Sequence, residues 1–236
     1  ATGSVNSSMF FISSLGAEGL LATDLENADY AQPWIPEMKE ICATAGPVVR
    51  GAEPVDDGVG IFHSRLAEVA NTLDTRFGSM KTEQTRLLDV FDALGVSAKF
   101  VTERQILAGQ LDPRQTRILF MAQPKAVTDP LAAALGRYLQ AGGVIVGDVA
   151  LDVRGQHCQE VAPGRLLGLF GARAEECKPL KAEVAFEQVT VPGGPLALRA
   201  GECLVDEAVS VGTGKSLAEA GTTPIMIYQQ HGKGLA

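Results

Sequence analysis

The sequence predicts an α/β fold: a doubly wound, mostly parallel sheet with a β-rich C-terminal part and a short strand-helix piece in front. Three observations predict it. Short apolar runs at residues 59–63, 96–101, 118–122 and 144–146 alternate with amphipathic helical stretches. The run 118–122 (ILFMA) is apolar throughout, the pattern of a strand covered on both faces. Finally, residues 117–152 (RILFMAQPKAVTDPLAAALGRYLQAGGVIVGDVALD) read as a complete strand-helix-strand crossover, the connection that parallel strands require.

In chain order, residues 8–12 (SMFFI) form a short buried strand, followed by a loop with Gly16, Gly19, Asp24 and Glu26. Residues 34–49 read as one helix, with Pro36 in the first turn and Met38, Ile41, Cys42 and Ala45 at helical spacing. One strand and one helix cannot close a core alone, so this piece leans on the next domain or on chain outside the sequence. Residues 51–58 (GAEPVDDG) are a linker by composition. Two domains are therefore expected, 1–52 and 53–236.

The second domain opens with the strand 59–63, then a loose helical or loop segment over 65–79. A helix from Thr82 presents Leu87, Leu88, Phe91 and Leu94 and stops at Gly95. After the strand 96–101 comes a turn of helix over 103–107, then the strand 118–122. Asp129 is expected as the N-cap of the next helix, with Pro130 at its first position. Leu131, Leu135, Tyr138 and Leu139 share one stripe of that helix, and Gly142-Gly143 supplies the left-handed exit into the strand 144–146. Residues 163–171 (PGRLLGLFG) read as another short helix. Alternating Val, Phe and Thr after Glu183, broken by Pro192-Gly193-Gly194-Pro195, predict a β-hairpin. Residues 224–228 (PIMIY) are the last clear strand, and the sequence stops within a strand-like stretch, HGKGLA. An Ala rather than a Met at position 1 adds to the expectation of a segment from a longer protein.

Composition excludes several classes. A net charge of −8 argues against nucleic acid as a partner, because phosphate neutralisation needs clustered Lys and Arg. No run reaches the ~18 apolar residues of a membrane span. The four cysteines, Cys42, Cys158, Cys177 and Cys203, are widely spaced, which fits neither a zinc site nor a dense disulfide framework. A reducing, cytoplasmic setting is the expectation. No motif calls for a cofactor or a metal.

Three chemistries merit testing at the C-terminal edge of such a sheet, where α/β proteins place ligands. A nucleophile elbow needs Ser or Cys at a tight strand-to-helix turn, but the residues after Val146 are Gly147-Asp148-Val149-Ala150. Cys158 is the remaining nucleophile candidate, with His157 or His231 as its base; sequence neighbours such as His157 and Cys158 usually diverge, which favours an ordinary loop thiol. Gly212-Thr213-Gly214-Lys215-Ser216 ends like a phosphate loop but has Val209 where the motif needs glycine, so an exposed turn is expected. Paired carboxylates of the glycosidase kind would have to use Asp148 and Asp152, and Asp148 is expected rather to accept backbone N–H groups. Glu18, Asp24 and Glu26 read as a solvated loop, and His63 as structural. A small ligand, sugar included, would be met at Gln123, Asp148 and Asp152.

The run from Val59 to Asp148, with its helix ending in RYLQAGGVIVGD, resembles the class I glutamine-amidotransferase-like (flavodoxin-like) fold. More closely, residues 59 to 236 resemble the trimerisation domain of β-galactosidases of glycoside hydrolase family forty-two. The strand 119–124 leading to helix and A-G-G, the PGRLLGLFG segment and the closing TPIMIYQQHGKG carry this likeness. It implies that residues 1 to 52 are the last strand and helix of a preceding (β/α)8 barrel, whose two catalytic glutamates have no counterpart here. It further implies a homo-oligomer, a trimer, that meets carbohydrate through the parent enzyme. The function expected is thus a non-catalytic accessory domain; the alternatives are a cysteine hydrolase of the amidotransferase kind using Cys158, or a sugar-binding domain.

Overall fold

The computed structural model describes residues 32–53, 55–162, 164–176, 178–184, 189–191, 194–196 and 201–236. The chain divides into two units, Ala1–Val55 and Asp56–Ala236. The expected strand 8–12 and the acidic loop with Glu18, Asp24 and Glu26 lie outside the described residues.

The first unit contains α1 (Trp34–Ala43) and α2 (Ala45–Gly51). One helix was expected here and two are found, broken at Thr44. Pro47 explains the break: it has no N–H to offer the carbonyl of Ala43, and its ring clashes with that turn. The Thr44 hydroxyl donates to the Glu40 carbonyl at 2.7 Å and closes α1.

The second unit runs β1 (Val59–His63), α3 (Arg65–Leu73), α4 (Met80–Ala93), β2 (Ala98–Thr102), α5 (Glu103–Leu107), β3 (Ile118–Met121), α6 (Asp129–Gln140) and β4 (Val144–Gly147). There follow β5 (Ala172–Arg173), β6 (Pro179–Val184), β7 (Val189–Val191), β8 (Gly194–Leu196), β9 (Gly201–Asp206), β10 (Ser210–Val211), β11 (Lys215–Ala220), β12 (Thr223–Tyr228), β13 (Gln230–His231) and β14 (Gly234–Leu235). Six strands form the central sheet in the order β13-β14-β4-β3-β1-β2, parallel except at β13–β14. The rest pair antiparallel, β10 with β5, β11 with β12, β6 with β9, and β7 with β8. The last pair is the expected hairpin.

Strand side chains alternate between faces, so neighbouring residues of one strand serve two cores. On one face α6 lays Leu131, Leu135, Tyr138 and Leu139 against Phe62, Leu119, Met121 and Ile145. Each fully buried side chain of this kind contributes about 1.5–3 kcal/mol. On the other face Phe91 of α4 packs with Val59 and Ile61, and its ring meets Phe120 edge-on at 5.0 Å. Tyr138 reaches through its core to donate its hydroxyl to the Thr116 carbonyl at 2.9 Å, and burial pushes the phenol well above its ordinary value.

Local details depart from expectation at three places. The N-cap of α6 is Thr128; Asp129 sits in the first turn, where its charge suits the helix dipole and reaches Arg165 at 3.4 Å. Helix α4 begins at Met80, two residues before Thr82, and Leu94 is its exposed C-cap because Gly95, at φ 67°, turns the chain away. Residues 165–171 are hydrogen-bonded turns rather than a helix. Bonds of the i+4 and i+3 kinds intermix there, as glycine at 164, 168 and 171 disfavours a regular helix. The C-terminal HGKGLA, expected to be strand-like, returns to the sheet as β14, Leu235 pairing with Val144. Gly234 lies so close to the carbonyls of Leu139 and Gly143 that no Cβ fits.

Candidate functional site

The strand order places β2 and β3 on opposite sides of β1, so the connections leaving β1 and β3 part in different directions. A crevice opens between them at the carboxyl ends of the strands. Its volume is about 980 Å³, and Asn71, Phe77, Gln123, Asp148 and the first turn of α4 line it.

Buried polar side chains tie together the elements around it, and two of them, Asn71 and Gln123, line it. Ser64, after β1, caps α3 by accepting the Ala67 N–H at 3.3 Å and donates to Glu103 at 2.6 Å. Asn71 of α3 donates to the carbonyl of Gln123 at 3.1 Å and accepts the Met80 N–H at 3.3 Å, joining the end of β3 to the start of α4. Gln84 donates to the Phe62 carbonyl at 2.8 Å. Gln123 itself is only 1% exposed and holds a φ of 43°, a left-handed conformation that costs a side-chain-bearing residue about 1 kcal/mol or more. Its Nε2 donates to the Phe77 carbonyl at 2.5 Å, whereas its Oε1 is buried without a hydrogen-bond partner among the described residues.

Beneath the loop 74–77 lies a charged cluster. Lys125 is fully buried, donates to the backbone carbonyl of Asp74 and stands 4.0 Å from its carboxylate. Arg76 meets that carboxylate at 2.6 Å and Arg154 at 3.7 Å. Arg76 above all, through its hydrogen bond, holds the Asp74 carboxyl well below the usual carboxylate range.

Asp148 follows β4 and borders the crevice. Its Oδ1 accepts the N–H of Val149 at 2.7 Å, the backbone role expected of it. The carboxylate surface is open to the crevice, yet protein crowds it on several sides. That desolvation, assisted by the nearby charge of Glu83, pushes its pKa above the ordinary value. Asp152 is elsewhere in function: it is fully buried at φ 58°, and its Oδ2 accepts the N–H groups of Arg165 at 2.7 Å and Leu166 at 3.3 Å. Its other oxygen faces the Arg165 guanidinium at 3.0 Å. Of the three edge residues, Gln123 and Asp148 share the crevice and Asp152 does not line it.

Cys158 is half-buried in a tight turn at φ 58°, its N–H bonded to the Gly155 carbonyl at 2.9 Å. Among the described residues no hydrogen bond joins its thiol to an imidazole. His157 is exposed and uses its backbone N–H on Gln159, and His231 bonds the Leu169 carbonyl at 2.6 Å. His63 stacks edge-on with Phe100 at 6.1 Å. The turn Gly212–Gly214 folds onto Gly171, whose carbonyl accepts the N–H of Gly212 at 2.7 Å and of Gly214 at 2.9 Å. Those glycines serve backbone packing. Among the described residues no cluster of His, Cys, Asp or Glu could hold a metal, and no helix is long and apolar enough to cross a membrane.

Asn71, Asp74, Gln84 and Lys125 are absent from the sequence expectations. Only Gln84 left a signal, as the single polar member of the stripe Met80, Gln84, Leu87, Leu88 and Phe91. The others become neighbours only through the crossovers.

No protein-family model matches this chain, and no curated protein matches it in sequence. Solved structures do. The β-galactosidase from Bacillus circulans sp. alkalophilus aligns with 94% of this chain at a TM-score of 0.71 and 16% identity, over 34% of its own length. The cold-adapted β-galactosidase from Rahnella sp. R3 aligns with 94% at 0.68 and 16% identity, over 34% of its length. A catalytic mutant of a GH42 β-galactosidase from G. stearothermophilus aligns with 94% at 0.65 and 16% identity, over 33% of its length. This chain therefore spans about a third of the solved enzymes it matches and resembles that part of GH42 β-galactosidases in fold.

Proposed function

We propose that this chain is an accessory part of a β-galactosidase-like glycoside hydrolase that serves assembly as a homo-oligomer, a trimer, and supplies no catalytic group. One observation carries the reading. A fold shared with a third of such enzymes has, at the corner after β4 where a nucleophile elbow would stand, only Gly147, Asp148 and Val149. The parallel order β2-β1-β3-β4, with α4 on one face and α6 on the other, supports a doubly wound, class I glutamine-amidotransferase-like assignment. Trp34, Ile41 and Val48 are exposed on α1 and α2, as expected of helices that belong to a preceding barrel. Carbohydrate is then met through the parent enzyme's own site. Cys42 and Cys158 are free thiols, which supports a reducing, cytoplasmic setting. The cysteine-hydrolase reading has less support, since among the described residues Cys158 has no bonded base.

A stable trimer of this kind buries on the order of a thousand Å² or more at each interface. Light scattering on the intact parent protein is expected to return three times the chain mass. A strict monomer at working concentrations overturns the assembly role.

A further inference from the structure

The crevice above the sheet has a use that assembly does not require. Its charged lining is mixed: Glu68, Glu83 and Asp148 against Lys81 and Arg86. Arg86 is already engaged by Glu83 at 2.7 Å. An anion here would lie beside carboxylates, and a cation beside Lys81 with no aromatic face to receive it, as Phe77 is buried. The rest of the lining is neutral: hydroxyl and amide side chains such as Thr75, Thr82 and Asn71, together with apolar Phe77, Met80 and Val149.

Several residues that line this space hold unused hydrogen-bonding capacity. Gln123, buried and held in a left-handed conformation, leaves Oε1 without a partner among the described residues and so calls for a donor. Asp148 spends one oxygen on Val149, and its carboxylate surface is open. Helix α4, fourteen residues long, has first-turn N–H groups with no intrahelical partner, and Ser79 offers no side-chain cap. Asn71 takes the N–H of Met80 and the Ser79 carbonyl that of Glu83, which among the described residues leaves those of Lys81 and Thr82 for a ligand oxygen. Acceptors on one wall and donors on the other suit a molecule whose groups both give and take hydrogen bonds, which is the property of a hydroxyl.

We propose that this crevice binds a neutral, hydroxyl-rich small molecule of mono- or disaccharide size, held through Gln123, Asp148 and the first turn of α4. The site is distinct from Asp152, whose oxygens are engaged by Arg165 and Leu166. It goes beyond the assembly role and stands or falls without it.

The test is calorimetric titration of the 236-residue chain with galactose, glucose, lactose and glycerol, and with inorganic phosphate as the anionic control. Two variants at exposed positions accompany it, Asp148→Ala and Thr82→Arg, each checked for native circular dichroism. Saturable binding of at least one of these hydroxylic probes is expected, weakened tenfold or more by Asp148→Ala and abolished by the bulk of Thr82→Arg. Binding of phosphate alone overturns the proposal, as does the absence of saturable binding by all four neutral probes. Sugar binding that neither variant changes also overturns it, because the ligand would then sit elsewhere.

Discussion

Asp152 and Arg165 close on each other twice: Oδ2 accepts the backbone N–H of Arg165 at 2.7 Å, while Oδ1 meets its guanidinium at 3.0 Å. A carboxylate that looked in sequence like a ligand at the sheet edge is thus the anchor for the glycine-rich turns of residues 165–171. Removing it leaves two backbone donors without their acceptor and takes from the Arg165 guanidinium the nearer of its two carboxylates. Asp152→Ala is expected to lower stability by about 2–4 kcal/mol. A urea midpoint unchanged from wild type would contradict this anchoring.

The Asp74 cluster sets a pH dependence. The carboxyl is held below its ordinary value by Arg76 foremost, so the folded form keeps it ionised where the unfolded chain does not. Its contribution is complete above the unfolded value of about 4 and declines as pH falls toward the folded one. Asp74→Asn is expected to be less stable than wild type near neutrality, with the gap narrowing between about pH 5 and about pH 2. Denaturation midpoints of both proteins across that range check it; a gap constant with pH contradicts it.

Two leucines of similar apparent role in the sequence should separate in measurement. Leu135 is fully buried on α6, and Leu94 is 69% exposed at the end of α4. Leu135→Ala is expected to cost about 2–5 kcal/mol, and Leu94→Ala less than about 0.5 kcal/mol. Comparable losses would mean that Leu94 is covered in solution.

Gly234 admits no side chain between Leu139 and Gly143. Gly234→Ala is expected to displace β14 from β4 at a cost of about 1–3 kcal/mol. Hydrogen exchange should report it first at the Leu235 amide, which now donates to the Gly143 carbonyl at 3.2 Å. Unchanged protection there would contradict the close approach.

The sequence alone was sufficient for the order of strands from β1 to β4 with α4, α5 and α6 between them (though not for α3), for the buried stripe of α6 and for the hairpin at residues 189–196. These follow from periodicity and turn chemistry, which act over a few neighbouring residues. It also carried the likeness to GH42 β-galactosidases, through short motifs such as the G-K-G whose second glycine proves to be the one that lets β14 meet β4. Tertiary structure alone decided which polar residues share a space. Gln123 met Asn71 and Phe77 across some fifty positions, and Asp152 turned away from Asp148, four residues before it, to hold Arg165. Hydrogen-bond partners of buried polar groups are chosen by the crossovers that bring distant segments together, and no local pattern in the chain records that choice.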